Sequence, residues 1–144
     1  IIETVNNVGI YADRHNWQGI KHSFADEVLL DYTSMAGGKP AKLKPDQIIT
    51  AWKGILPGFK LTQHAISNHI VKIKGKEADC FSYVNAIHYL PNDSGKDTWT
   101  VMGYYDHHLI KTDSGWKIDK MKFNLTLILG NTKLPELAQK AAAN

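Results

Sequence analysis

The chain contains very little cysteine and very little arginine, and both shortages exclude classes of protein. Cys80 is the only cysteine in 144 residues, so no disulfide can form within the chain. Because this is typical of a reducing compartment rather than of a secreted disulfide scaffold, we expect a cytoplasmic protein. Arg14 is the only arginine, and the net charge of +3 is spread thinly over lysines. A nucleic-acid groove needs clustered basic and aromatic side chains, so we expect no nucleic-acid partner.

Long apolar runs are also missing. No run approaches the roughly 20 apolar residues that a membrane-spanning helix needs, and no charged-then-apolar leader is visible, so we expect no membrane partner. The hydrophobic fraction of 43% and the charged fraction of 22% are ordinary for a globular chain. A chain of 144 residues is long enough to bury one sizeable core, and we expect a single domain over residues 1–144.

Apolar residues at three- and four-residue spacing predict helices, two of them near the N-terminus. The predicted helices cover residues 4–14, 16–25, 45–55 and 134–143. Asn16 is placed to cap the second helix, and Pro45 suits the first turn of the third.

The rest of the chain predicts strands. One is short, at 28–32, and four are long, at about 60–73, 77–90, 97–111 and 116–129. At about 3.3 Å per residue each long run extends roughly 40–50 Å, which is too long for a flat strand. We therefore expect an α+β cone, in which a strongly curved and mostly antiparallel sheet wraps around the N-terminal helices and leaves a central pocket.

Polar side chains interrupt two of these strands at positions that point towards the core. They are Thr62 and His64 on one strand and His88 on the next. Burying an unpaired polar group costs roughly 1–3 kcal/mol, so two core-facing histidines indicate a site. As a neutral imidazole held by a carboxylate, His64 could take up and return a proton near neutral pH. The alternative for each histidine is a core residue bonded to backbone.

Two further residues are candidates for the same chemistry. Asp13 lies at the predicted end of a helix, where the negative end of the helix dipole opposes a carboxylate, so an imidazole partner would explain its position. A solvated surface aspartate is the alternative. Tyr32 could donate its phenolic hydrogen to a substrate carbonyl and stabilise an enolate, or it could simply fill the core.

Large apolar and aromatic side chains are expected to line the pocket and to suit a ring-shaped or otherwise apolar ligand. They are Trp52, Phe59, Trp99, Met102, Tyr105 and Phe123. Core filling alone would explain each of them equally well.

The seven histidines raise the question of a metal. His64, His88 and Asp13 could be three zinc ligands, but no short ligand spacing supports that alternative, and we expect no metal and no other cofactor. His107 and His108 are adjacent, so on a strand they should face opposite sides of the sheet.

The order of these features resembles the SnoaL-like branch of the nuclear-transport-factor-2-like superfamily, with its cystatin-like fold, and within that branch the scytalone dehydratases. The resemblance covers about residues 3–130. It rests on Asp31-Tyr32, Thr62-Gln63-His64, His88, Gly103-Tyr104-Tyr105 and Gly115-Trp116-Lys117. It implies that Asp13, Tyr32, His64 and His88 are catalytic in a cofactor-free acid/base site.

The chain departs from the dehydratase pattern at three positions. Ala12 stands where a second carbonyl-binding tyrosine is expected, and Gly103 and Tyr105 stand where a serine and an asparagine are expected. These groups would hold the substrate rather than move protons, so the departures bear on the substrate more than on the acid/base pair.

The resemblance favours a dehydratase that acts on a small hydroxylated cyclic ketone. Other functions share the fold: a ketosteroid-isomerase-like double-bond isomerase, a non-catalytic domain that binds an apolar ligand or serves in assembly, and the small subunit of an oxygenase. An exposed sheet face would make the protein a homo-oligomer, either a dimer or a trimer.

Overall fold

Five helices and six strands make up the fold, and a computed structural model describes all of residues 1–144. The helices are α1 (Ile2–Asp13), α2 (Trp17–Ser23), α3 (Thr33–Ala36), α4 (Pro45–Lys53) and α5 (Leu134–Ala142). The strands are β1 (Phe24–Asp31), β2 (Ala41–Leu43), β3 (Leu61–Lys74), β4 (Glu77–Tyr89), β5 (Thr98–Thr112) and β6 (Gly115–Gly130). None of the helices has the length and apolar character needed to cross a bilayer.

All six strands belong to one sheet, in the order β2-β1-β6-β5-β4-β3. Only β1 and β6 run parallel, and every other neighbouring pair is antiparallel. The tight connections use glycines with positive φ, at Gly75 between β3 and β4 (φ 61°) and at Gly115 at the start of β6 (φ 98°). The prediction of an α+β fold with a mostly antiparallel sheet is confirmed.

The long strands are bent by irregularities in their pairing. In β3 the register with β4 shifts between Ser67 and Ile70, where Asn68 has φ 58°. The register between β5 and β6 shifts twice, once between Met102 and Gly103 and once between His108 and Leu109. Because an extra residue in one strand bends the strand and increases its twist, the sheet curls around the N-terminal helices.

The core lies between the concave face of the sheet and the helices α1, α2 and α4. Along β4, alternate residues from Ala78 to His88 are buried, and the residues between them are mostly exposed. This period of two is the reason why one face of the sheet can supply a core wall while the other faces solvent. The most deeply buried apolar side chains include Val5, Ile20, Val28, Ile48, Leu109 and Ile118.

The predicted elements differ from the observed ones at their ends and in two short segments. The second helix ends at Ser23 rather than at 25, and β1 already begins at Phe24. The three-residue edge strand β2 and the single turn α3 were not predicted, because segments this short show no hydrophobic period. The predicted capping is confirmed at Asn16, whose side chain accepts a hydrogen bond from the Gly19 N–H at 3.0 Å. Pro45 begins α4 as expected.

Candidate active site

A cavity of about 250 Å³ lies between the concave face of the sheet and the helices α1, α3 and α4. Of the 21 residues that line it, 17 are hydrophobic. The other four are Gly9 and three histidines, His64, His88 and His107. Polar chemistry in this cavity therefore depends on three imidazoles and on the hydroxyl groups of the tyrosines in its wall.

Five of the six predicted wall residues line the cavity: Trp52, Phe59, Trp99, Tyr105 and Phe123. The sixth prediction, Met102, is wrong. Val101, Gly103 and Tyr105 are buried on the inner face of β5, so strand alternation turns Met102 to the outer face. The sequence could have predicted this, because side chains alternate between the two faces of a strand. Met102 and Tyr105 are three residues apart, so they cannot both face inward along a regular strand.

Asp13 and His64 form the most closely connected polar group of the cavity region. The Nδ1–H of His64 donates a hydrogen bond to Oδ1 of Asp13 at 2.7 Å, and the backbone N–H of His64 donates to Oδ2 at 2.8 Å. The hydroxyl of Thr62 donates to Oδ1 at 2.8 Å. Three donors thus hold one carboxylate, and both of its oxygens are used.

This arrangement sets the ionisation of Asp13 and the tautomer of His64. Burial alone would raise the pKa of Asp13, but the hydrogen bonds and charge of His64, together with the Thr62 hydroxyl, hold it below the ordinary value. The carboxylate therefore accepts from Nδ1, which must carry a hydrogen. The Nε2 atom of His64 is left with the lone pair, as a general base requires.

Local sequence explains how α1 brings Asp13 to β3. Gly9 lies one turn before Asp13, and a Cβ on Gly9 would come within 3.0 Å of Ile66 Cδ1 and 3.1 Å of His64 Cβ. The missing side chain lets the helix lie against the strand. The chain then leaves the helix through His15, whose φ is 52°, so Asp13 stands at the helix end with its carboxylate turned to the strand.

His88 lies beside His64 and is held neutral. The two rings are edge to face with centroids 5.7 Å apart, and the His88 ring also packs on Phe59 and Trp99. Burial, with a smaller contribution from His64, lowers the pKa of His88 to about 4. Its Nδ1–H donates to the carbonyl of Trp99 at 3.1 Å, which leaves the lone pair on Nε2. His88 is therefore a hydrogen-bond acceptor at neutral pH.

Tyr32 and Tyr105 bring their hydroxyl groups together in the same cavity, 3.4 Å apart. The pKa of Tyr32 is raised well above its ordinary value, mainly by burial and further by the neighbouring Tyr105. Burial also raises the pKa of Tyr105. Both phenols keep their hydrogens at neutral pH and can donate to an oxygen placed between them and His64. The Tyr105 partner was missed in the sequence because 73 residues separate the pair.

His107 is a cavity residue that sequence reasoning missed as part of a site. As expected, it faces the opposite side of the sheet from His108, whose ring is bonded to Asp119 at 2.6 Å and to Glu77 at 3.2 Å. His107 instead lines the cavity, and neither of its ring nitrogens has a hydrogen-bond partner in the protein. The only signal in the sequence was that His107 lies two residues after Tyr105 and therefore faces the same side of the strand.

Metal ligation has little geometric support in this cavity. No three His, Cys, Asp or Glu side chains are grouped as a metal site requires. If zinc were bound to the free Nε2 atom of His64, Asp13 could not be a ligand of the same ion, because its carboxylate is bonded to Nδ1 on the other side of the ring at 2.7 Å.

The curved six-stranded sheet around N-terminal helices, with an apolar cavity between them, is the architecture of the nuclear-transport-factor-2-like class of folds. Within that class the chain belongs to the SnoaL-like domain family, whose model matches residues 1–122. The resemblance seen in the sequence is thereby confirmed. No curated protein matches the chain significantly.

Solved structures share the fold at low sequence identity. A protein from Kribbella flavida superposes with a TM-score of 0.85 at 24% identity, covering 99% of this chain and 94% of that one. A candidate scytalone dehydratase from Novosphingobium aromaticivorans has a TM-score of 0.77 at 19% identity, covering 90% and 83%. A hexachlorocyclohexane dehydrochlorinase, LinA-type3 from Novosphingobium barchaimii, has a TM-score of 0.74 at 11% identity, covering 90% and 86%.

The pairing of Asp13 predicts a pH-dependent contribution to stability. Because the folded-state pKa is depressed, the ionised carboxylate stabilises the fold above the unfolded pKa of about 4, and this contribution is lost as pH falls through the folded pKa. The Asp13→Asn variant should therefore be less stable than the wild type at pH 6, and the difference should shrink at pH 3. Urea unfolding at the two pH values measures it.

Asp93→Asn is the matched control, since Asp93 is exposed in the loop between β4 and β5 and has no ion pair. It should change stability little at either pH. A destabilisation of Asp13→Asn that is the same at pH 3 and pH 6 would contradict the assigned pairing.

Proposed function

We propose that the protein is a cofactor-free lyase of the dehydratase type, acting on a small hydroxylated cyclic ketone. The observation that carries the proposal is the pair of Asp13 and His64, in which a carboxylate takes the Nδ1–H and leaves a basic Nε2 beside an apolar cavity. Elimination next to a carbonyl suits this equipment, because its main barrier is the formation of an enolate, which positioned acid and base groups can lower.

In the first step Nε2 of His64 removes the proton on the carbon next to the carbonyl. The electron pair of the C–H bond moves onto the carbonyl oxygen, which becomes an enolate. His64 becomes an imidazolium, and the adjacent Asp13 carboxylate stabilises that positive charge. The apolar wall strengthens this interaction because it keeps the surrounding dielectric low.

Tyr32 stabilises the developing enolate by donating its hydroxyl hydrogen to the carbonyl oxygen, and Tyr105 supports it. The raised pKa values of both phenols favour hydrogen-bond donation without loss of the proton. The 3.4 Å distance between the hydroxyl groups lets one of them orient the other.

In the second step the enolate re-forms the carbonyl and expels the hydroxyl group from the next carbon. The leaving oxygen takes the proton that His64 now carries, so that one water molecule and an enone are released and His64 returns to its starting state. His88 accepts a hydrogen bond from the substrate hydroxyl and orients it. Its pKa of about 4 favours this role over that of a proton donor at neutral pH.

The names of the structural neighbours support an elimination. A dehydratase removes water and a dehydrochlorinase removes hydrogen chloride, and both kinds of name occur among the proteins that share the fold. A double-bond isomerase would use the same groups and return the proton to carbon. A non-catalytic binder would use the apolar wall alone. That alternative is supported by the 17 hydrophobic residues among the 21 that line the cavity.

Turnover of a panel of hydroxy-ketones and cyclic enones, followed by absorbance and mass, tests the proposal. The wild type should release a product lighter by one water. His64→Ala should reduce the rate by about 10²–10⁴, the usual contribution of a general base. His22→Ala, which changes an exposed histidine outside the cavity, should leave the rate unchanged.

Other outcomes would point to the other functions. An unchanged mass with shifted absorbance would make the protein an isomerase. Tight binding of these compounds by the wild type and by His64→Ala, with no turnover by either, would make the protein a binding domain. Equal dehydration by the wild type and by His64→Ala would remove His64 from the mechanism.

We also propose that the protein forms a homo-oligomer through the outer face of its sheet. Apolar side chains there are well exposed, including Tyr83 at 53%, Ile87 at 40%, Leu127 at 47% and Leu129 at 50%. The register places Ile87 and Leu129 on either side of Thr100 in one cross-strand row, and Leu127 beside Met102 in the next, so these side chains lie close together on one face of the sheet. A second copy of the chain would bury it against a matching surface.

Light scattering of the eluted protein measures the oligomeric state. The wild type should have a mass that is a multiple of 16.1 kDa, and the double variant Ile87→Lys/Leu129→Lys should be monomeric, because burying the two charges would be costly. Ile10→Lys alters an exposed isoleucine on α1 and should leave the mass unchanged. A wild type that is monomeric at all concentrations would overturn the proposal.

A further inference from the structure

His107 lies on the cavity wall as a buried side chain that the proposed mechanism does not use. It is only 3% exposed, and neither ring nitrogen has a hydrogen-bond partner. Buried polar side chains in folded proteins are nearly always paired, because leaving one unpaired costs the free energy of its lost hydration. The two unpaired nitrogens of His107 therefore call for a partner from outside the chain.

The position of His107 separates it from the pair of Asp13 and His64. On β5, Val101 lies in the cross-strand row that contains His64, whereas His107 lies in the row that contains Cys80 and Met121. Six residues of β5 separate the two rows, so the two side chains enter the cavity at different points along the strand. Both histidines line the same cavity.

Tyr105 lies between the two ends. Its ring centroid is 4.9 Å from that of His107, and its hydroxyl meets that of Tyr32. In the proposed mechanism these hydroxyl groups hold the carbonyl oxygen, and along β5 His107 lies on the other side of Tyr105 from the row that contains His64. The ligand atom that reaches His107 is therefore not one of the reacting atoms.

The charge state of His107 limits the kind of group it can bind. Burial, with a smaller contribution from His69, lowers the pKa of His107 to about 3, so the ring is neutral at physiological pH. A neutral imidazole offers one N–H donor and one lone pair. It suits a hydroxyl or carbonyl oxygen, whereas a carboxylate would need a permanently charged partner, and no Lys or Arg lines the cavity.

We propose that His107 is a substrate-recognition residue that hydrogen-bonds a second, uncharged oxygen of the ligand, a hydroxyl or a carbonyl remote from the reacting carbon. The inference rests on the cavity of the proposed function and narrows its substrate class. The ligand is then an elongated, ring-containing ketone with oxygen functions at both ends. Apolar contacts along the wall hold its middle.

Binding of two probes that cannot be dehydrated tests the inference without any turnover. The first is β-tetralone, a bicyclic ketone, and the second is the same ketone with a hydroxyl on its aromatic ring. Trp52 and Trp99 line the cavity, so quenching of their fluorescence reports occupancy. The wild type should bind the hydroxylated probe about tenfold more tightly, as one hydrogen bond to an otherwise unpaired buried group allows.

His107→Phe should abolish the preference by weakening only the hydroxylated probe, and His107→Gln, which keeps hydrogen-bonding atoms, should retain part of it. Ser82→Ala is the matched control. Ser82 is also buried with an unpartnered side chain, but it does not line the cavity, so this variant should keep the preference. Both His107→Phe and Ser82→Ala remove an unpaired polar group, so a shared effect on stability cannot account for a difference between them.

Side-chain nitrogen NMR of the wild type provides a second measurement should His107→Phe not fold. The His107 ring nitrogens should shift when the hydroxylated probe is added and not when β-tetralone is added. Equal binding of the two probes by the wild type, an unchanged preference in His107→Phe, or the absence of a selective shift would each overturn the inference. Failure of the dehydratase assay alone would not, because neither measurement involves turnover.

Discussion

The hydrogen bonds between Asp13 and His64 are the interaction on which the candidate site depends. A carboxylate at the C-terminal end of a helix is opposed by the helix dipole, and burial opposes its charge as well. Three donors from β3 offset both effects at once. The same contacts fix α1 against the sheet and fix the orientation of the His64 ring, so one cluster joins helix docking to the placement of a basic nitrogen.

The three histidines of the cavity are of two kinds, which differ in their surroundings. His88 and His107 are surrounded by aromatic and apolar groups, and burial lowers their pKa values to about 4 and about 3. Among the cavity histidines only His64 has a carboxylate partner. In the proposed mechanism His64 therefore takes the proton from the ligand, and we propose that the other two histidines bind oxygen atoms. On this proposal the apolar wall has two roles, which are to contact the ligand and to confine the acid/base chemistry to one histidine.

Much of this could be predicted from the sequence because it follows from local patterns. Periodicity predicted the long helices and the five longest strands, and the isolated polar residues in strands indicated His64 and His88. The link between Asp13 and His64 came from the helix-end argument together with the family resemblance. What could not be predicted depends on register and long-range contact: the meeting of Tyr32 with Tyr105, the outward turn of Met102 and the unpaired state of His107. Short segments such as β2 and α3 are fixed by contacts with their neighbours, and no periodic pattern marks them.

The whole site depends on Asp13 holding His64 with its hydrogen on Nδ1 and its lone pair on Nε2. Long-range proton–nitrogen NMR of the imidazole side chains tests it directly at pH 8.5, where an ordinary imidazole is neutral. His64 should be the Nδ1–H tautomer in the wild type and should lose that preference in Asp13→Asn. An Nε2–H tautomer in the wild type, or the same tautomer populations in both proteins, would contradict it.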